Sequence, residues 1–216
     1  MLLFVKFMND AIRSHPRRTA SLSVKRSIDI GLSLGMLALL PLPVLAISLL
    51  IKVTSRGAVL FRQERVGQNG RPFVMYKFRS MREDAQFRQD ASRSDVVGPA
   101  FKLRHDPRVT PIGRWLRISS IDELPQLWNV LKGDMSLVGP RPALTKEAAR
   151  YRTWQKRRLT VKPGMTGPWQ VSGRSNVGFD QWIEMDLDYI DNWSLKLDVI
   201  LLLRTIPAVL SGRGAW

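Results

Sequence analysis

The sequence predicts an α+β, mostly helical monotopic membrane protein: a proline-broken re-entrant membrane helix, then a small β-hairpin, then interfacial amphipathic helices. Three observations predict it: an apolar run of membrane length with prolines near its middle, two short strand-like segments around a glycine turn, and helical periodicity through much of the remainder. The chain has 216 residues and a net charge of +16, so it can bury a core and requires an anionic partner or surface.

We divide the chain into a basic N-terminal segment (1–21), a re-entrant helix-break-helix segment (22–56) and a cytosolic or interfacial domain (57–216) that carries the chemistry. The first residues, MLLFVKF, are apolar but too few for a signal peptide, and no small-residue cleavage site follows them.

The membrane segment is the apolar run from Ile28 to Ile51, which carries one charge, Asp29, in 24 residues. At about 1.5 Å per helical residue it could span a bilayer core of about 30 Å. Pro41 and Pro43 remove amide donors near its middle, so we expect a sharp break there. Each half would then be roughly 20 Å or less, too short to cross alone.

Basic residues flank this run on both sides, and the positive-inside tendency places both ends on the cytoplasmic side. A helix that enters the membrane, turns at Pro41-Leu42-Pro43 and returns satisfies the length, the prolines and the charges. A kinked crossing helix and a buried core helix are the alternatives. The basic residues are Arg13, Arg17, Arg18, Lys25 and Arg26 before the run, and Lys52, Arg56, Arg62 and Arg65 after it.

Lys25, Arg26 and Asp29 lie within about one helical turn of each other. We predict an ion pair among them that neutralises the one acidic residue at the membrane edge. A plain surface pair is the alternative.

Beyond the membrane segment, Ala58–Gln63 and Pro72–Phe78 predict two strands around a turn at residues 67–70. Residues 81–106 are polar and without a clean period, which indicates helix fragments and loop. Helical spacing begins at Pro111 and continues to Gly133, which ends that helical stretch.

Two further helices are predicted near the C-terminus, at Phe179–Asn192 and Leu195–Leu210. The second is broadly apolar but polar in places, which favours a position in the membrane interface. Three aromatic residues are expected at headgroup level or, equally, in the core. The polar or helix-breaking positions of the last helix are Lys196, Asp198, Arg204 and Pro207, and the aromatic residues are Trp182, Tyr189 and Trp193.

The chemistry is expected from carboxylates, arginines, lysines and backbone. The chain has no cysteine, which excludes thiolate nucleophiles, thiolate metal sites and disulfides. Its two histidines, His15 and His105, are too few and too far apart for a histidine metal cluster or a Ser-His-Asp triad. This composition suits the handling of phosphates.

Asp122 and Glu123 are the candidate catalytic residues. Ser120 and Glu123 have the spacing of a capping box that opens a helix, with Pro125 in its first turn. At a helix N-terminus the macrodipole favours ionised carboxylates, and an ionised aspartate is the form that attacks phosphorus. Routine helix capping is the alternative.

Three basic segments supply candidate phosphate ligands, although each alone could be a solvated loop. Gly139-Pro140-Arg141-Pro142 is a rigid turn that presents a guanidinium fork. In Tyr76-Lys77-Phe78-Arg79 the two cations would share one face of a strand. Pro163–Arg174 is a glycine-rich turn region. The candidate substrate ligands are Lys77, Arg79, Arg117, Gly139, Pro140, Arg141, Gln170 and Arg174.

In combination, these residues resemble the bacterial sugar transferase family, the monotopic phosphoglycosyl transferases that start glycan assembly on polyprenyl phosphate. The resemblance runs from Lys25 to the C-terminus. Its segments are KRSID, the proline-broken run, YKFRSM, SSIDELPQLWNVLKGDMSLVGPRP and PGMTGPWQVSGR.

The resemblance implies that Asp122 is the nucleophile and Glu123 its dyad partner. In such enzymes the aspartate attacks the β-phosphate of a UDP-sugar, releases UMP and passes the sugar phosphate to polyprenyl (undecaprenyl) phosphate in a ping-pong scheme. Mg²⁺, with Mn²⁺ as an alternative, is the expected cofactor, and Asp122 is its expected ligand. The expected location is the cytoplasmic face of the bacterial inner membrane, and a homodimer is left open.

The C-terminal segment NWSLKLDVILLLRTIPAVLSGRGAW is similar to exopolysaccharide starter enzymes that transfer galactose or glucose phosphate. Larger relatives carry additional membrane helices before this module, so we expect the minimal catalytic form. A basic nucleic-acid-binding protein and a non-catalytic membrane-surface adaptor are the alternatives. A charge of +16 alone would suit the former, but it leaves the apolar run unexplained, so no nucleic-acid partner is expected.

Overall fold

The computed structural model describes residues 16–86, 103, 106–172, 178–212 and 214, without the side chains of 16–19, 84 and 86. Within them the chain is mostly helical with a small sheet. The helices are α1 (Pro16–Leu39), α2 (Pro41–Thr54), α3 (Pro111–Ile118), α4 (Gln126–Lys132), α5 (Thr145–Ala149), α6 (Pro168–Val171), α7 (Phe179–Asp191) and α8 (Leu195–Ser211). The strands are β1 (Leu60–Val66), β2 (Pro72–Phe78), β3 (Ser136–Val138), β4 (Ala143–Leu144) and β5 (Gly164–Thr166).

The apolar run forms two helices with a sharp break between them, as predicted. In the described chain no helix by itself has the length and apolar composition to cross a membrane. Ala20–Leu39 and Pro41–Thr54 meet these two criteria when they are taken together, but the pair is bent by 65°. Leu40 separates them, and Pro41 is the first residue of α2, where its missing amide costs no helical hydrogen bond. Helix α1, described from Pro16 onward, continues across the predicted boundary at residue 21. That boundary stays a prediction. Most of the predicted basic segment, residues 1–15, lies outside the described residues.

Helices α1 and α2 expose most of their leucines. Leu39 and Leu42, on either side of the break, are 81% and 79% exposed. On the inner side of α2, Ile47 and Ile51 are buried in a cluster with Phe78. A core helix of a soluble protein would bury its leucines, so the buried-core alternative does not fit.

The predicted ion pair among Lys25, Arg26 and Asp29 is wrong, because all three side chains bind partners far along the chain instead of one another. Lys25 Nζ lies 2.6 Å from Asp198 Oδ2 and donates to the carbonyl of Val138 at 3.0 Å. Asp29 accepts the amide of Leu137 at 3.0 Å. These long-range partners, which helical spacing cannot reveal, bind α1 to β3 and α8.

Arg26 caps the C-terminus of α4. Its guanidinium donates to the carbonyls of Val130 (2.6 Å) and Leu131 (2.7 Å). These carbonyls lie in the last turn of the helix, where a cation also complements the macrodipole. Gly133 follows with a φ of 90°, so glycine ends this helix as predicted.

The predicted hairpin is confirmed, with β1 displaced from Ala58–Gln63 to Leu60–Val66. β1 and β2 pair antiparallel from Leu60 opposite Phe78 to Val66 opposite Pro72. Asn69, in the turn between them, adopts the left-handed region at φ 58°. β4 adds to the other edge of β1, while β3 and β5 form a separate parallel pair.

The two C-terminal helices are confirmed, but Asp198 is not an interfacial residue. It is buried and accepts hydrogen bonds from Lys25, Tyr189 and Trp193. Trp182 and Tyr189 are also buried, so the core alternative holds for them. The opposite face of α8 is an exposed apolar stripe at helical spacing, formed by Val199, Leu203, Ile206 and Leu210.

Candidate active site

Asp122 and Glu123 lie in a short 3₁₀ turn, Ile121–Glu123, that precedes α4. The predicted capping box is wrong: Ser120 adopts the left-handed region at φ 57° and makes no capping hydrogen bond with its side chain. Pro125 sits at the N-cap of α4 rather than in its first turn. The two acids are therefore presented by a tight turn between α3 and α4.

Three distant segments meet at Glu123. Its Oε1 lies 2.5 Å from Lys77 Nζ on β2 and 3.7 Å from Arg141 Nη1 in the turn after β3. The structure thus brings the acidic pair, Lys77 and Arg141 together, and their roles in catalysis and binding stay predictions. Because both cations are only partly exposed, their charges are weakly screened and available to an anion.

Asp122 is buried, with 7% of its surface exposed. In the described part of the chain its carboxylate accepts no hydrogen bond, in contrast with that of Glu123. Burial raises the pKa of Asp122 to about 6; the charge of Lys77 opposes the rise, and that of Glu123 adds to it. The expectation that the helix terminus favours ionisation is thus wrong, because desolvation outweighs the cations. The carboxylate is mostly ionised only above that pH.

Gly139 and Pro140, which precede Arg141, interlock with the glycine-rich turn that begins at Pro163. The amide of Gly139 donates to the carbonyl of Thr166 at 2.9 Å, and that of Gly164 donates to the carbonyl of Pro140 at 2.8 Å. A Cβ on Gly164 would lie 2.1 Å from the nitrogen of Gly139. The glycines are therefore required by backbone contact, and two of the predicted motifs form one unit.

Two buried arginines that the sequence did not predict as site residues bind the last two carbonyls of the Gly139–Pro142 turn. Arg158 Nη2 donates to the carbonyl of Arg141 at 2.9 Å, and Arg65 Nη1 donates to that of Pro142 at 3.0 Å. Burial, and then the charge of Arg141, lower the pKa of Arg65 to about 10. The available signal was strand alternation, which places Arg65 on the same side of β1 as the partly buried Gln63. Arg158 ends a basic run typical of a solvated surface, so its sequence gave no such signal.

Arg79 and Arg117 do not bind Glu123. Arg79 lies just beyond β2 and donates to the carbonyl (2.9 Å) and hydroxyl (2.8 Å) of Ser55, after the end of α2. It therefore connects the end of β2 to the end of α2, and its role as a phosphate ligand stays a prediction. Arg117 donates to Ser80 Oγ at 3.0 Å, and its charge also acts on Asp122.

Of the two remaining donor-site candidates, Gln170 lies on α6, immediately after the interlocked turns. Its side-chain amide donates to the carbonyl of Met165 in β5 at 3.5 Å. Arg174 lies outside the described residues, and its role stays a prediction.

Comparison with known proteins relates the sequence of this chain to a family. Residues 20–212 match the family model described as bacterial sugar transferase. The chain is 48% identical over 199 residues to a galactosyl transferase, CpsE, of Streptococcus agalactiae serotype III, an alignment that covers 90% of this chain and 44% of that protein. It is 43% identical over 212 residues to an undecaprenyl-phosphate galactose phosphotransferase of Salmonella typhimurium, covering 95% and 44%.

A shorter relative matches over most of its length. The exopolysaccharide production protein ExoY of Sinorhizobium fredii is 39% identical over 199 residues, covering 89% of this chain and 88% of that protein. The chain thus spans less than half of the first two relatives and most of the third.

Proposed function

The chain belongs to the bacterial sugar transferase family, and we propose that it transfers a sugar 1-phosphate from a UDP-sugar to polyprenyl (undecaprenyl) phosphate. The observation that carries the proposal is the placing of the buried Asp122 carboxylate next to Glu123, whose side chain contacts both Lys77 and Arg141. The product, a polyprenyl-diphosphate sugar, would start the assembly of an exopolysaccharide or another glycan.

In the first half-reaction, an ionised Oδ of Asp122 attacks the β-phosphorus of the donor. The bond from that phosphorus to the oxygen bridging it to the α-phosphate breaks, and UMP leaves with the bond electrons. The sugar phosphate remains as an aspartyl phosphodiester. Lys77 and Arg141, which both contact Glu123, would neutralise the diphosphate together with Arg117 on α3.

In the second half-reaction, an oxygen of polyprenyl phosphate attacks the same phosphorus. The bond to Asp122 breaks, its carboxylate is restored, and the lipid carries the sugar diphosphate. Glu123 keeps its ion pair with Lys77 and its contact with Arg141, so it orients the cations through both steps.

Mg²⁺ is part of the proposal, and the residues fit it. Among the described residues no three His, Cys, Asp or Glu side chains lie together as a metal cluster. Mg²⁺ commonly uses one or two carboxylates and takes its other ligands from substrate phosphates and water. Asp122 would hold it, and the cation would supply further neutralisation of the diphosphate.

The membrane placing is also proposed, and the apolar surface supports it. The exposed leucines of α1 and α2 and the apolar stripe of α8 would lie in the cytoplasmic leaflet of the inner membrane. Ile51 of α2 packs in one cluster with Phe78, the neighbour of Lys77. Lys77 is therefore close to the end of α2, which supports the proposal that a lipid phosphate held at the membrane surface would reach it.

The test uses the full chain in lipid nanodiscs with Mg²⁺, polyprenyl phosphate and a panel of UDP-sugars, and detects UMP. We expect release with at least one sugar and, without acceptor, a burst of at most one UMP per protein. Asp122→Ala should abolish both signals, whereas Asp191→Ala, which removes an exposed acid remote in sequence from the site, should not. UMP release by Asp122→Ala at the wild-type rate would refute the nucleophile.

A further inference from the structure

An aromatic stack runs from Arg141 into the core. The Cζ of Arg141 lies 5.6 Å from the ring centroid of Trp169. Trp169 in turn stacks on Trp182, with ring centroids 4.5 Å apart and an angle of 22° between the planes. Beyond Trp182 lies a second guanidinium, that of Arg158, 5.0 Å from its ring centroid. Two indoles thus lie between two arginines.

The inner arginine is fixed by its own partners. Arg158 Nη2 lies 2.5 Å from Asp186 Oδ2, and Nη1 donates to the hydroxyl of Tyr151 at 2.7 Å. Arg158 and Asp186 are almost completely buried, so their mutual attraction is strong and their orientation is fixed.

The same inner arginine contacts the backbone of Arg141, which closes the stack into a ring. Arg158 Nη2 donates to the carbonyl of Arg141 at 2.9 Å, while the guanidinium of Arg141 rests on Trp169. The main chain and the side chain of Arg141 are therefore both held by one buried unit.

We propose that Trp169 is a positioning residue for Arg141: its indole holds the guanidinium in the orientation that receives the donor diphosphate. The inference rests on the proposed function of Arg141. Within the described residues, the other contact of this guanidinium is with Glu123 at 3.7 Å, a distance too long to fix the orientation of its planar fork. A face of an aromatic ring restricts the long side chain before the substrate arrives, so less entropy is lost on binding.

Two substitutions of Trp169 distinguish positioning of Arg141 from a role in core packing alone. Trp169→Phe and Trp169→Met each remove part of the indole volume, but only phenylalanine keeps a ring face. We expect kcat/KM for the UDP-sugar to be lower in Trp169→Met than in Trp169→Phe by about 2- to 30-fold, the range of a cation–π contact. Equal losses in the two variants would overturn the proposal.

Arg141→Ala supplies the second comparison. If Trp169 acts through Arg141, the difference between Trp169→Phe and Trp169→Met should disappear when Arg141 is alanine. A difference that persists in that background would assign Trp169 a role of its own. Trp154→Leu, which changes a partly exposed tryptophan outside the stack, is the control for loss of an indole.

Binding of inorganic pyrophosphate, measured by calorimetry on the same variants, separates this inference from the proposed function. The order wild type, Trp169→Phe, Trp169→Met is expected for affinity whether or not a UDP-sugar is turned over. Absence of UMP release by the wild type, together with this order, would remove the proposed reaction and keep the positioning role. Equal affinities in all three proteins would remove the positioning role.

Discussion

The Nζ of Lys77 lies 2.5 Å from Oε1 of Glu123, and its charge also acts on Asp122 next to it. One lysine thus forms an ion pair with Glu123 and lowers the pKa of the adjacent Asp122. It pairs with the acid that contacts Arg141, and it is the largest influence opposing the rise in the pKa of the buried acid. Removing it should therefore affect both the geometry and the ionisation of the site.

We expect Lys77→Met to reduce UMP release at neutral pH by about 10- to 100-fold, the cost of losing a charged contact at a reacting centre. The pH at which activity is half-maximal should also rise, because the pKa of Asp122 loses its main opposing charge. Lys77→Arg keeps the charge and should keep the wild-type pH profile. The rate of UMP release, measured from pH 5 to 9 for each variant, tests this prediction. An unchanged pH profile in Lys77→Met would contradict the effect of Lys77 on the pKa of Asp122.

The local features of this fold were predictable, and the long-range contacts were not. Prolines 41 and 43 and the turn at residues 67–70 act on their own backbone, so the break and the hairpin follow from a few adjacent residues. The partners of Lys25 and Asp29 come from segments more than a hundred residues away, and no periodicity encodes them. The capping box failed because the left-handed Ser120 precedes a 3₁₀ turn rather than an α-helix.

The same division holds in the site. Lys77 and Arg141 were predicted as cations suited to a diphosphate and Glu123 as a catalytic acid, and the structure brings the three together. Arg65 and Arg158 were missed because a buried arginine and a solvated one have the same sequence, and only the packing around them distinguishes the two.

Asp122→Asn should stabilise the fold at alkaline pH while it abolishes turnover. The folded-state pKa of Asp122 lies near 6, above the ordinary value of 3.8, so the neutral form is the one favoured by folding. That stabilisation is complete below the unfolded pKa and is lost as the pH rises through about 6, at a cost of up to about 2 to 3 kcal/mol. Because asparagine is always neutral, its advantage should grow as the pH rises from about 4 to about 6 and stay constant above that.

Thermal melting in chelator, so that no divalent cation contributes, measures this difference. The melting temperature of Asp122→Asn should exceed that of the wild type by several degrees at pH 8, and the two should converge near pH 4. Equal melting temperatures at pH 8 would contradict a raised pKa of Asp122.

Gly164→Ala should separate the two interlocked turns. Its Cβ would lie 2.1 Å from the nitrogen of Gly139, and backbone atoms cannot rotate away as a flexible side chain can. The turn that carries Arg141 must therefore move, and we expect turnover to fall by at least about 100-fold, as a displacement of about 1 Å at a reacting group does. Gly178→Ala is the matched control, since no atom of the described residues lies within 4 Å of its added Cβ and its φ is negative. Kinetics comparable to wild type in Gly164→Ala would show that the interlock is not needed.

Pro41→Ala combined with Pro43→Ala should straighten the membrane segment. Both prolines fall in the first turn of α2, where amides have no helical partner, so α2 tolerates them. They act on α1, because a helix that continued past Leu40 would need the two missing amides. With alanine at both positions the amides can bond to carbonyls of α1, and the run from Ile28 to Ile51 then has the length of a crossing helix.

A labelling experiment reads the outcome, since the chain has no cysteine of its own. Single cysteines replacing Val24 or Arg56, both exposed, report the two ends of the helix pair. With both prolines present, an impermeant thiol reagent should reach the two positions from the cytoplasmic side only. In the double variant, position 56 should become accessible to the reagent from the opposite side of the membrane. Two features oppose this change: the basic residues around position 56, which favour the cytoplasmic side, and the packing of Ile51 with Phe78. Pro111→Ala, which changes a proline at the same position of α3, should leave both ends where they were. Cytoplasmic labelling of both ends in the double variant would mean that these contacts, rather than the prolines, return the chain to its starting side.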